Sequence, residues 1–303
     1  MRAKIVLAGG NGFLGRSLAR NLGQRGYEVV ILTRHPGSDP AGCTVFWDGR
    51  NPGPWMAEIE GARAVVNLTG RSVNCAPTAA NRAEIMSSRV DSVRVLAAAI
   101  AAASRPPPVW LQSSSLAIYG NPGDVVCDEN APPADDFSAQ VCRQWEAALP
   151  AGPARPVILR ISLVLAPAGG ALGPLARLVR RFLGGSVGPG RQYVSWLHED
   201  DMNAVFVDAI ERDDFAGAYN ICTPNPVPNA ELMRELRRVL RRPWSPPAPT
   251  WAVRIAARWF MRTDPELALT GRRCAPARLM TRGFQFRFPE LRPALDDLVR
   301  RGL

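Results

Sequence analysis

The amino-acid sequence predicts an α/β fold, a doubly wound parallel sheet followed by a smaller, mainly helical C-terminal domain. Three observations support this prediction. Short continuous apolar runs alternate with segments of helical periodicity, which is typical of parallel sheets covered by helices on both faces. A glycine-rich turn, AGGNGFLG, separates the first apolar run from the first helical segment. The chain has 303 residues, of which 47% are hydrophobic, enough for one large domain with an appendage.

The strands and helices are predicted from these patterns in chain order. The apolar runs predict strands at 4–9, 28–33, 44–47, 62–70, 108–115, 155–165 and 216–222. Helical spacing predicts helices at 13–25, 81–103, 137–149, 172–183, 200–211 and 228–240, with Asn229 as the N-cap of the last. Proline and serine interrupt residues 242–251, which are interpreted as a linker. The domains are therefore predicted to span residues 1–245 and 246–303.

Composition excludes several classes of protein and site. Six cysteines without a CxxC pair, together with only two histidines, offer no ligand set for a structural zinc, so no metal site is predicted. The sequence starts directly with a predicted strand, and no apolar run approaches the ~18 residues of a membrane span. We therefore expect a cytoplasmic protein without a signal peptide or a membrane segment.

The net charge of +10 comes almost entirely from arginine, because Lys4 is the only lysine. The arginines are spread along the chain, and pairs such as Arg237 and Arg238 fall on a polar helix face. A nucleic-acid-binding protein would concentrate this charge in one basic stripe, preferably with aromatic residues. We therefore expect a solvated surface and no nucleic-acid partner, and a field that suits phosphorylated or acidic ligands.

The glycine-rich turn has the spacing of a dinucleotide-binding loop. Gly9, Gly12 and Gly15 form a GxxGxxG pattern after the first strand, and Phe13 and Leu14 begin the first helix. Small residues let the backbone approach a pyrophosphate, and the helix N-terminus adds free N–H groups and the positive end of its dipole. These five residues are predicted to contact a dinucleotide on a Rossmann sheet. The alternative is a tight βα turn without a ligand.

The end of the second predicted strand indicates which dinucleotide is bound. NAD-binding proteins usually place an acidic residue ~20 residues beyond the loop, where it bonds the ribose 2′-hydroxyl. Here Thr33 and Arg34 stand at that distance. The guanidinium of an arginine is always charged and suits bidentate contact with a phosphate. The pair therefore favours the 2′-phosphate of NADP(H), and the alternative is that Arg34 only faces solvent.

Motifs along nearly the whole chain resemble those of one family. They include AGGNGFLGRSLA, LTR, VVNLTG, SSSLAIYG, FSAQVCRQWEAA, LRISLVLAPAGGAL, VSWLHEDDM and GFQFRFPELRPAL. Together they resemble the extended short-chain dehydrogenases/reductases, in particular an atypical branch of sugar-nucleotide epimerase-like proteins with a C-terminal domain of unknown role. The resemblance implies an NADP(H)-binding, epimerase-like oxidoreductase that is a monomer or a homodimer. It also implies a small-molecule substrate, such as a phosphorylated molecule or a nucleotide sugar, on the side of the C-terminal domain.

The resemblance also assigns cofactor contacts outside the loop. Leu68 and Thr69, which follow the fourth strand, would pass beside the adenosine and its ribose. Glu84 and Arg89 on the next helix would reach toward the cofactor, and Val164 would border the nicotinamide. For Glu84 and Arg89 the alternative is an ion pair on the helix surface, although their spacing of five residues is poor for pairing.

The proton-transfer residues of the family are replaced in this chain. Its members use Ser or Thr with Tyr and Lys, because the chemistry needs a group that titrates within reach of the substrate oxygen. Ser114 and Ser115 match the serine, but Phe137 and Val141 stand where tyrosine and lysine are expected. Lys4 falls in the first predicted strand. The usual proton relay is therefore predicted to be absent.

Other residues are candidates for its role. Tyr119 and His198 are the predicted catalytic replacements. The alternative for Tyr119 is a packing tyrosine at the mouth of the loop, and for His198 it is a hydrogen-bonded core histidine. Cys142 and Glu146 are further candidates, for which the alternatives are an inert thiol and a carboxylate that orients its helix. The sequence thus leaves the proton donor open.

Two functions remain after this reading. The first is an NADP(H)-dependent oxidoreductase whose substrate is held by the strand-end serines and by Arg191, Gln192 and Tyr193, with Arg191 facing a phosphate or carboxylate. The second is a non-catalytic NADP(H) sensor or interaction protein, and a nucleic-acid or division-related partner is suggested only by charge. An enzyme is favoured because the serine strand and the HEDD segment at 198–201 persist.

Overall fold

A parallel sheet of seven strands forms the centre of the computed structural model, which describes residues 2–39 and 41–303. The strands of the described residues are β1 Lys4–Ala8, β2 Glu28–Thr33, β3 Cys43–Phe46, β4 Ala64–Asn67, β5 Val109–Ser115, β6 Val126–Cys127, β7 Arg155–Ile161, β8 Leu163–Leu165, β9 Tyr193–Val194, β10 Trp196–His198, β11 Gly217–Ile221, β12 Val227–Pro228 and β13 Arg273–Cys274. The central sheet has the order β11–β7–β5–β4–β1–β2–β3, and its neighbouring strands are all parallel. The predicted doubly wound sheet is confirmed.

Helices cover the sheet and form most of the C-terminal part. They are α1 Phe13–Gln24, α2 Ala79–Ala102, α3 Phe137–Ala147, α4 Leu172–Arg180, α5 Glu199–Glu211, α6 Asn229–Val239, α7 Thr250–Ile255, α8 Glu266–Leu269, α9 Ala277–Thr281 and α10 Leu291–Arg300. A π-helical turn, Ala256–Met261, continues α7, and 3₁₀ turns lie at Pro54–Glu58 and Leu116–Tyr119. Among the helices of the described ranges, none is both long and apolar enough to cross a membrane.

The central strands are apolar along their whole length because both faces of the sheet are covered. Ile5 and Leu7 of β1 pack on one face with residues of α1 and α5, whereas Val6 packs on the other face with residues of α2. All three side chains are fully buried. Because the strands are parallel, the carboxyl ends of β1, β2, β4 and β5 meet at one edge, where ligands bind in doubly wound sheets.

The predicted strand 155–165 is divided at Ser162. The first part, β7, lies in the central sheet, whereas β8 leaves it and pairs with β10. The division arises because Ser162 N donates to Ile221 O at 3.1 Å, and Leu163 N donates to Ser195 O at 3.2 Å. β8 and β10 therefore form a small sheet beside the main one.

The N-cap predicted for α6 is wrong. Pro228 occupies the cap position, and Asn229 is the first helical residue. The Asn229 side chain instead accepts a hydrogen bond from Val187 N at 2.8 Å, across 42 residues of sequence. A distant backbone group therefore uses the acceptor that would have capped the helix.

The segment predicted as a linker, 242–251, is bonded to the preceding part of the chain. Ala248 N donates to Ser186 O, and Ala248 O accepts from Gly188 N, both at 2.8 Å. Further along, α10 packs against α6, and Leu295 and Leu232 lie in one apolar cluster. Residues on both sides of position 245 thus share a core, and the domain boundary stays a prediction.

Candidate cofactor and substrate site

The turn between β1 and α1 leaves one glycine open to a ligand. Gly9 has a φ of +76°, and its N–H donates to Leu32 O at 3.0 Å. A Cβ at Gly15 would lie 2.4 Å from Gly10 O, so helix and turn are in direct contact there. Among the described residues, a Cβ at Gly12 would meet only Gly9 O, at 3.5 Å. The backbone of Gly12 therefore faces open space, as the close approach of a pyrophosphate requires.

The N-terminus of α1 offers free donors at the same place. Gly12 supplies no side-chain cap, and the first turn has no acidic residue, so the first N–H groups and the helix dipole favour an anion. Phe13 and Leu14, predicted as cofactor contacts, are partly buried and pack against the core. A Cβ at Gly169 would lie 2.5 Å from the Phe13 ring, so this ring packs directly against the 169–170 loop.

Arg34 lies at the carboxyl end of β2, beside this turn. Thr33 is buried, and its hydroxyl accepts hydrogen bonds from Asn11 Nδ2 at 2.9 Å and His35 N at 3.2 Å. Arg34 is exposed, and its guanidinium has no hydrogen-bond or ion-pair partner within residues 2–39 and 41–303. Asn11 and Thr33 therefore fix the end of the strand, while all donors of Arg34 remain available to a ligand.

The end of β4 closes the other side of the turn. The buried Asn67 donates to Gln112 Oε1 at 3.0 Å and to Ser92 Oγ at 3.2 Å, and its Oδ1 accepts from Thr69 N at 3.0 Å. A Cβ at Gly9 would lie 3.0 Å from the Thr69 backbone. The structure therefore brings Thr69, and with it the partly buried Leu68, next to the glycine-rich turn, and their contact with the cofactor stays a prediction. Asn67, which holds this arrangement, was not identified from the sequence.

Glu84 and Arg89 do not pair with each other, so the helix-surface ion pair considered above is wrong. Glu84 accepts a hydrogen bond from Arg71, which precedes α2. Arg89 Nη1 donates to Arg71 O at 3.1 Å and to Ile85 O at 2.9 Å, and its guanidinium lies 5.0 Å from the ring centre of Trp145. Burial lowers the pKa of Arg89. Arg89 is thus a cation packed between α2 and α3, with no carboxylate bonded to it among the described residues.

The hydroxyl of Ser114 belongs to a buried ionic network. It donates to Glu146 Oε1 at 2.6 Å. Arg160 of β7 donates to both oxygens of the same carboxylate, through Nε at 3.0 Å and Nη2 at 2.9 Å. The alternative considered for Glu146, a carboxylate bonded to nearby backbone, is therefore wrong. Ser115 is partly exposed and caps the turn that follows β5 by accepting from Ala117 N at 3.2 Å.

Tyr119 is buried in the same network. Its hydroxyl donates to Asn220 Oδ1 at 2.8 Å and accepts from Arg160 Nη1 at 2.8 Å. Burial raises the pKa of Tyr119 to about 12, against the lowering effect of Arg160. The proton of this tyrosine is therefore already bonded to the protein, which argues against the predicted catalytic role and for the structural alternative.

His198 occupies an equally enclosed position. Its Nδ1 accepts from Asp200 N at 3.1 Å, its Nε2 lies 3.3 Å from Asp297 Oδ2, and its ring lies 4.0 Å from that of Phe288. Burial lowers the pKa of His198 to about 4. This histidine connects the start of α5 to α10, and the contacts above involve neither Ser114 nor Ser115. The geometry therefore favours the structural alternative here as well.

Phe137 and Val141, the residues predicted to replace the tyrosine and the lysine, are both apolar. Phe137 begins α3 with its ring 4.8 Å from the Arg82 guanidinium, and Val141 is buried. Cys142 is also buried, and its thiol pKa is raised to about 11 by burial and by the charge of Glu146. A thiol with this pKa stays protonated at neutral pH, so the inert alternative fits Cys142.

A partly buried guanidinium, that of Arg272, reaches this region from the C-terminal part of the chain. Arg272 Nε donates to Gly120 O at 3.0 Å, and its backbone N–H donates to Tyr193 O at 2.9 Å. Burial lowers the pKa of Arg272, and its charge lies close enough to Cys142 to lower the pKa of that thiol, as the charge of Arg89 does. The charges of Arg89 and Arg272 therefore both act on the thiol of Cys142 in α3. Arg272 and Arg160 were not identified from the sequence.

The remaining predicted residues lie at the edge of the site. Gln192 Nε2 donates to Val187 O at 3.1 Å and to Ala268 O at 3.2 Å, and Tyr193 packs under the guanidinium of Arg273. Arg191 is exposed. Val164 is buried in β8, where it pairs with Leu197, and it belongs to the main core. Of these four residues, Arg191 is the exposed cation, and it has no ion-pair partner in the part of the chain that the structure describes.

Comparison with known proteins identifies relatives along the whole chain. Residues 5–222 match the NAD dependent epimerase/dehydratase family, and residues 248–298 match DUF1731, a domain of unknown function. The chain is 33% identical over 304 residues to the epimerase family protein SDR39U1 of Bos taurus, covering 98% of this chain and 99% of the relative. It is 30% identical over 302 residues to the epimerase family protein YfhF of Bacillus subtilis, covering 97% of each.

Solved structures give the same result. The crystal structure of human SDR39U1, isoform 2, with NADPH superposes with a TM-score of 0.88 at 30% identity, covering 98% of this chain and 99% of that one. A nucleoside-diphosphate sugar epimerase from Corynebacterium glutamicum superposes with a TM-score of 0.78 at 29% identity, covering 98% of this chain and 58% of that one. The resemblance inferred from the motifs is confirmed, and the chain belongs to the NAD dependent epimerase/dehydratase family.

Proposed function

We propose that the protein binds NADP(H) along Gly12, Thr69 and Arg89 and acts as an epimerase-like oxidoreductase on a small molecule. The observation that carries this proposal is the open backbone of Gly12, on a turn bonded to the end of β2, where the guanidinium of Arg34 has no partner among the described residues. The human relative that was crystallised with NADPH supports it. Because arginine suits a phosphate, the position of Arg34 favours NADP(H) over NAD(H).

The chemistry would take place between β5 and α3. A bound nicotinamide supplies or accepts hydride. Ser115 offers a partly exposed hydroxyl there, whereas the hydroxyl of Ser114 is bonded to Glu146. Arg89 and Arg272 place positive charge where the oxygen of a carbonyl substrate would gain negative charge, which is the kind of stabilisation that lowers a barrier most. Since guanidinium groups stay protonated, water is the remaining source of the proton.

The substrate class follows from the charge of the site and from the relatives. A phosphorylated molecule or a nucleotide sugar suits the exposed guanidinium of Arg191 and the net positive charge of the chain. The relative from Corynebacterium glutamicum is described as a nucleoside-diphosphate sugar epimerase, which supports this class.

A second candidate function is a non-catalytic NADP(H) sensor. It is favoured by Tyr119, whose hydroxyl bonds to Asn220 and Arg160, and by His198, whose side chain is fully buried. In that case the cofactor would bind without turnover.

Titration with NADPH and NADH, followed by nucleotide fluorescence, tests the cofactor. Arg34→Ala is expected to weaken NADPH binding by roughly 10- to 100-fold, because it removes a charge-assisted bond, and to leave NADH binding unchanged. The matched control is Arg94→Ala, which removes an exposed arginine of α2. Equal loss for both nucleotides would overturn the assignment of the 2′-phosphate to Arg34, and failure to bind either would overturn the proposed function.

Turnover separates the enzyme from the sensor. Oxidation of NADPH is followed by its absorbance in a screen of carbonyl compounds, including keto sugars linked to nucleoside diphosphates. An enzyme would show turnover that Arg272→Gln reduces while NADPH still binds. Binding without turnover for any carbonyl class would favour the sensor.

A further inference from the structure

A cavity of about 670 Å³ lies between the segment that precedes α2 and the C-terminal helices. One wall is formed by residues 76–78, and the other carries Arg254, Arg258, Trp259 and Arg262. None of these residues was predicted to have a function. The side chains that line the cavity therefore have to show which kind of ligand it could hold.

The charges on the C-terminal wall are only partly neutralised. Arg254 forms an ion pair with Glu266 at 3.5 Å. Arg258 and Arg262 have no hydrogen-bond or ion-pair partner in the part of the chain that the structure describes. Two like charges on one cavity repel each other, so an anion between them would be stabilised by both.

Two uncharged groups complete the wall. The Trp259 side chain is 73% exposed, although large aromatic residues are usually covered, and its ring offers a face for stacking. Thr263 is only 7% exposed, and its hydroxyl has no hydrogen-bond partner among the described residues. An aromatic face, two cations and an unpaired hydroxyl thus line the same space.

The opposite wall is fixed to the proposed cofactor site. Asn81 Nδ2 donates to Ala76 O at 2.8 Å, and Arg71 Nη2 donates to Asn81 Oδ1 at 2.8 Å. Arg71 O in turn accepts from Arg89. The segment from Thr69 to α2 therefore borders the cofactor groove at one end and this cavity at the other.

We propose that this cavity binds a planar aromatic molecule that carries at least two negative charges. Arg258 and Arg262 pair with its acidic groups, and Trp259 stacks on its ring. The proposal rests on the proposed function in one respect: the ligand is the substrate, whose reacting end then extends toward Arg89 and Arg272. The C-terminal segment acquires the role of recognising the anionic end of the substrate.

Calorimetry with three probes tests the site in NADPH-saturated protein. The probes are UDP, 1-naphthyl phosphate and inorganic pyrophosphate, and quenching of tryptophan fluorescence reports on the same titrations. We expect the two aromatic probes to bind more tightly than pyrophosphate, and the tighter of the two shows whether the ring is a nucleobase. Trp259→Leu should weaken both aromatic probes and leave pyrophosphate unchanged.

Charge variants decide the proposal. Arg258→Gln and Arg262→Gln should each weaken the aromatic probes roughly tenfold or more, since each removes a charge-assisted bond, while Arg258→Lys should retain most of the affinity. Arg181→Gln, which changes an exposed arginine after α4, is the matched control. Unchanged affinity in both glutamine variants, or no binding of any probe to protein that binds NADPH, would overturn the proposal.

A failure of NADPH binding can be distinguished from a failure of the proposed anion site. If NADPH does not bind, the proposed function is overturned, and the same probe titrations on the free protein still decide the site. Probe binding that depends on Arg258 and Arg262 would then support an anion site without an oxidoreductase function.

Discussion

The turn between β1 and α1 and the end of β5 lie at the same edge of the sheet but are built in opposite ways. Around Gly12 the first N–H groups of α1 have no side-chain cap, and the guanidinium of Arg34 has no partner among the described residues. Around Ser114 the polar groups come from β5, α3 and β7, and they bond to one another. A polar residue at a strand end is therefore evidence of a ligand site only when its donors and acceptors are not already bonded to other protein groups.

The largest effect is expected at the end of β5. Arg160→Met leaves the Glu146 carboxylate, whose side chain is 12% exposed, without its ion-pair partner. Loss of one member of such a pair usually costs about 3–5 kcal/mol of the free energy of unfolding, because an uncompensated charge stays buried. Urea denaturation measures this loss.

A double variant provides the control. Glu146→Leu combined with Arg160→Met removes both charges, so it should be clearly more stable than Arg160→Met alone. If Arg160→Met loses less than about 1 kcal/mol, the network is not the main support of this strand end, and the contrast with the phosphate loop fails.

The next effect concerns His198 and depends on pH. Its pKa in the folded protein is about 4, below the ordinary 6.5, because the ring is buried. As the pH falls from about 6.5 to 4, the unfolded chain binds a proton that the folded chain does not, so the folded state loses stability. The free energy of unfolding should therefore decrease by up to about 3 kcal/mol over this window from this group alone.

His198→Asn should flatten that dependence, measured by urea denaturation at several pH values. His35→Asn is the matched control, because His35 is exposed and should leave the slope in place. Asp200, Asp297 and Arg301 face His198, and their charges shift its pKa in both directions. If His198→Asn keeps the full pH dependence of the free energy of unfolding but loses turnover, the catalytic role predicted for His198 would be supported instead.

The sequence predicts those features of the structure that depend on residues close to one another in the chain. The strands and the helix after the glycine-rich turn are predicted from short segments, and the structure contains them close to the predicted positions. The cofactor contacts expected of this turn and of Arg34 stay predictions. Arg160 bonds to Glu146 across 14 residues, and Arg272 bonds to Gly120 across 152, so no local pattern indicates either contact. A charged residue inside the apolar run LRISLVL was a signal that Arg160 has a buried partner, but it did not show which one.

The smallest expected change in stability belongs to the glycine-rich turn, and it gives the sharpest test of whether this turn, unlike the end of β5, faces a ligand. Gly15→Ala places a Cβ 2.4 Å from Gly10 O and should cost about 1–3 kcal/mol in the free energy of unfolding, as overpacking does. Gly12 has a φ of −71°, which any residue adopts, and its Cβ would meet only Gly9 O within the described chain, so Gly12→Ala should change stability by less than about 0.5 kcal/mol. The added methyl nevertheless occupies the space that a pyrophosphate needs, so NADPH affinity should fall in Gly12→Ala.

Urea denaturation and NADPH titration of the two glycine variants separate packing from binding. A stable Gly12→Ala protein with reduced affinity means that the open face of the turn is a ligand face, since the same methyl costs the fold almost nothing. A stable Gly12→Ala protein that binds NADPH as the unsubstituted chain does would place the phosphates elsewhere. The open backbone would then be only a feature of the turn, and the turn and the end of β5 would differ in bonding and not in function.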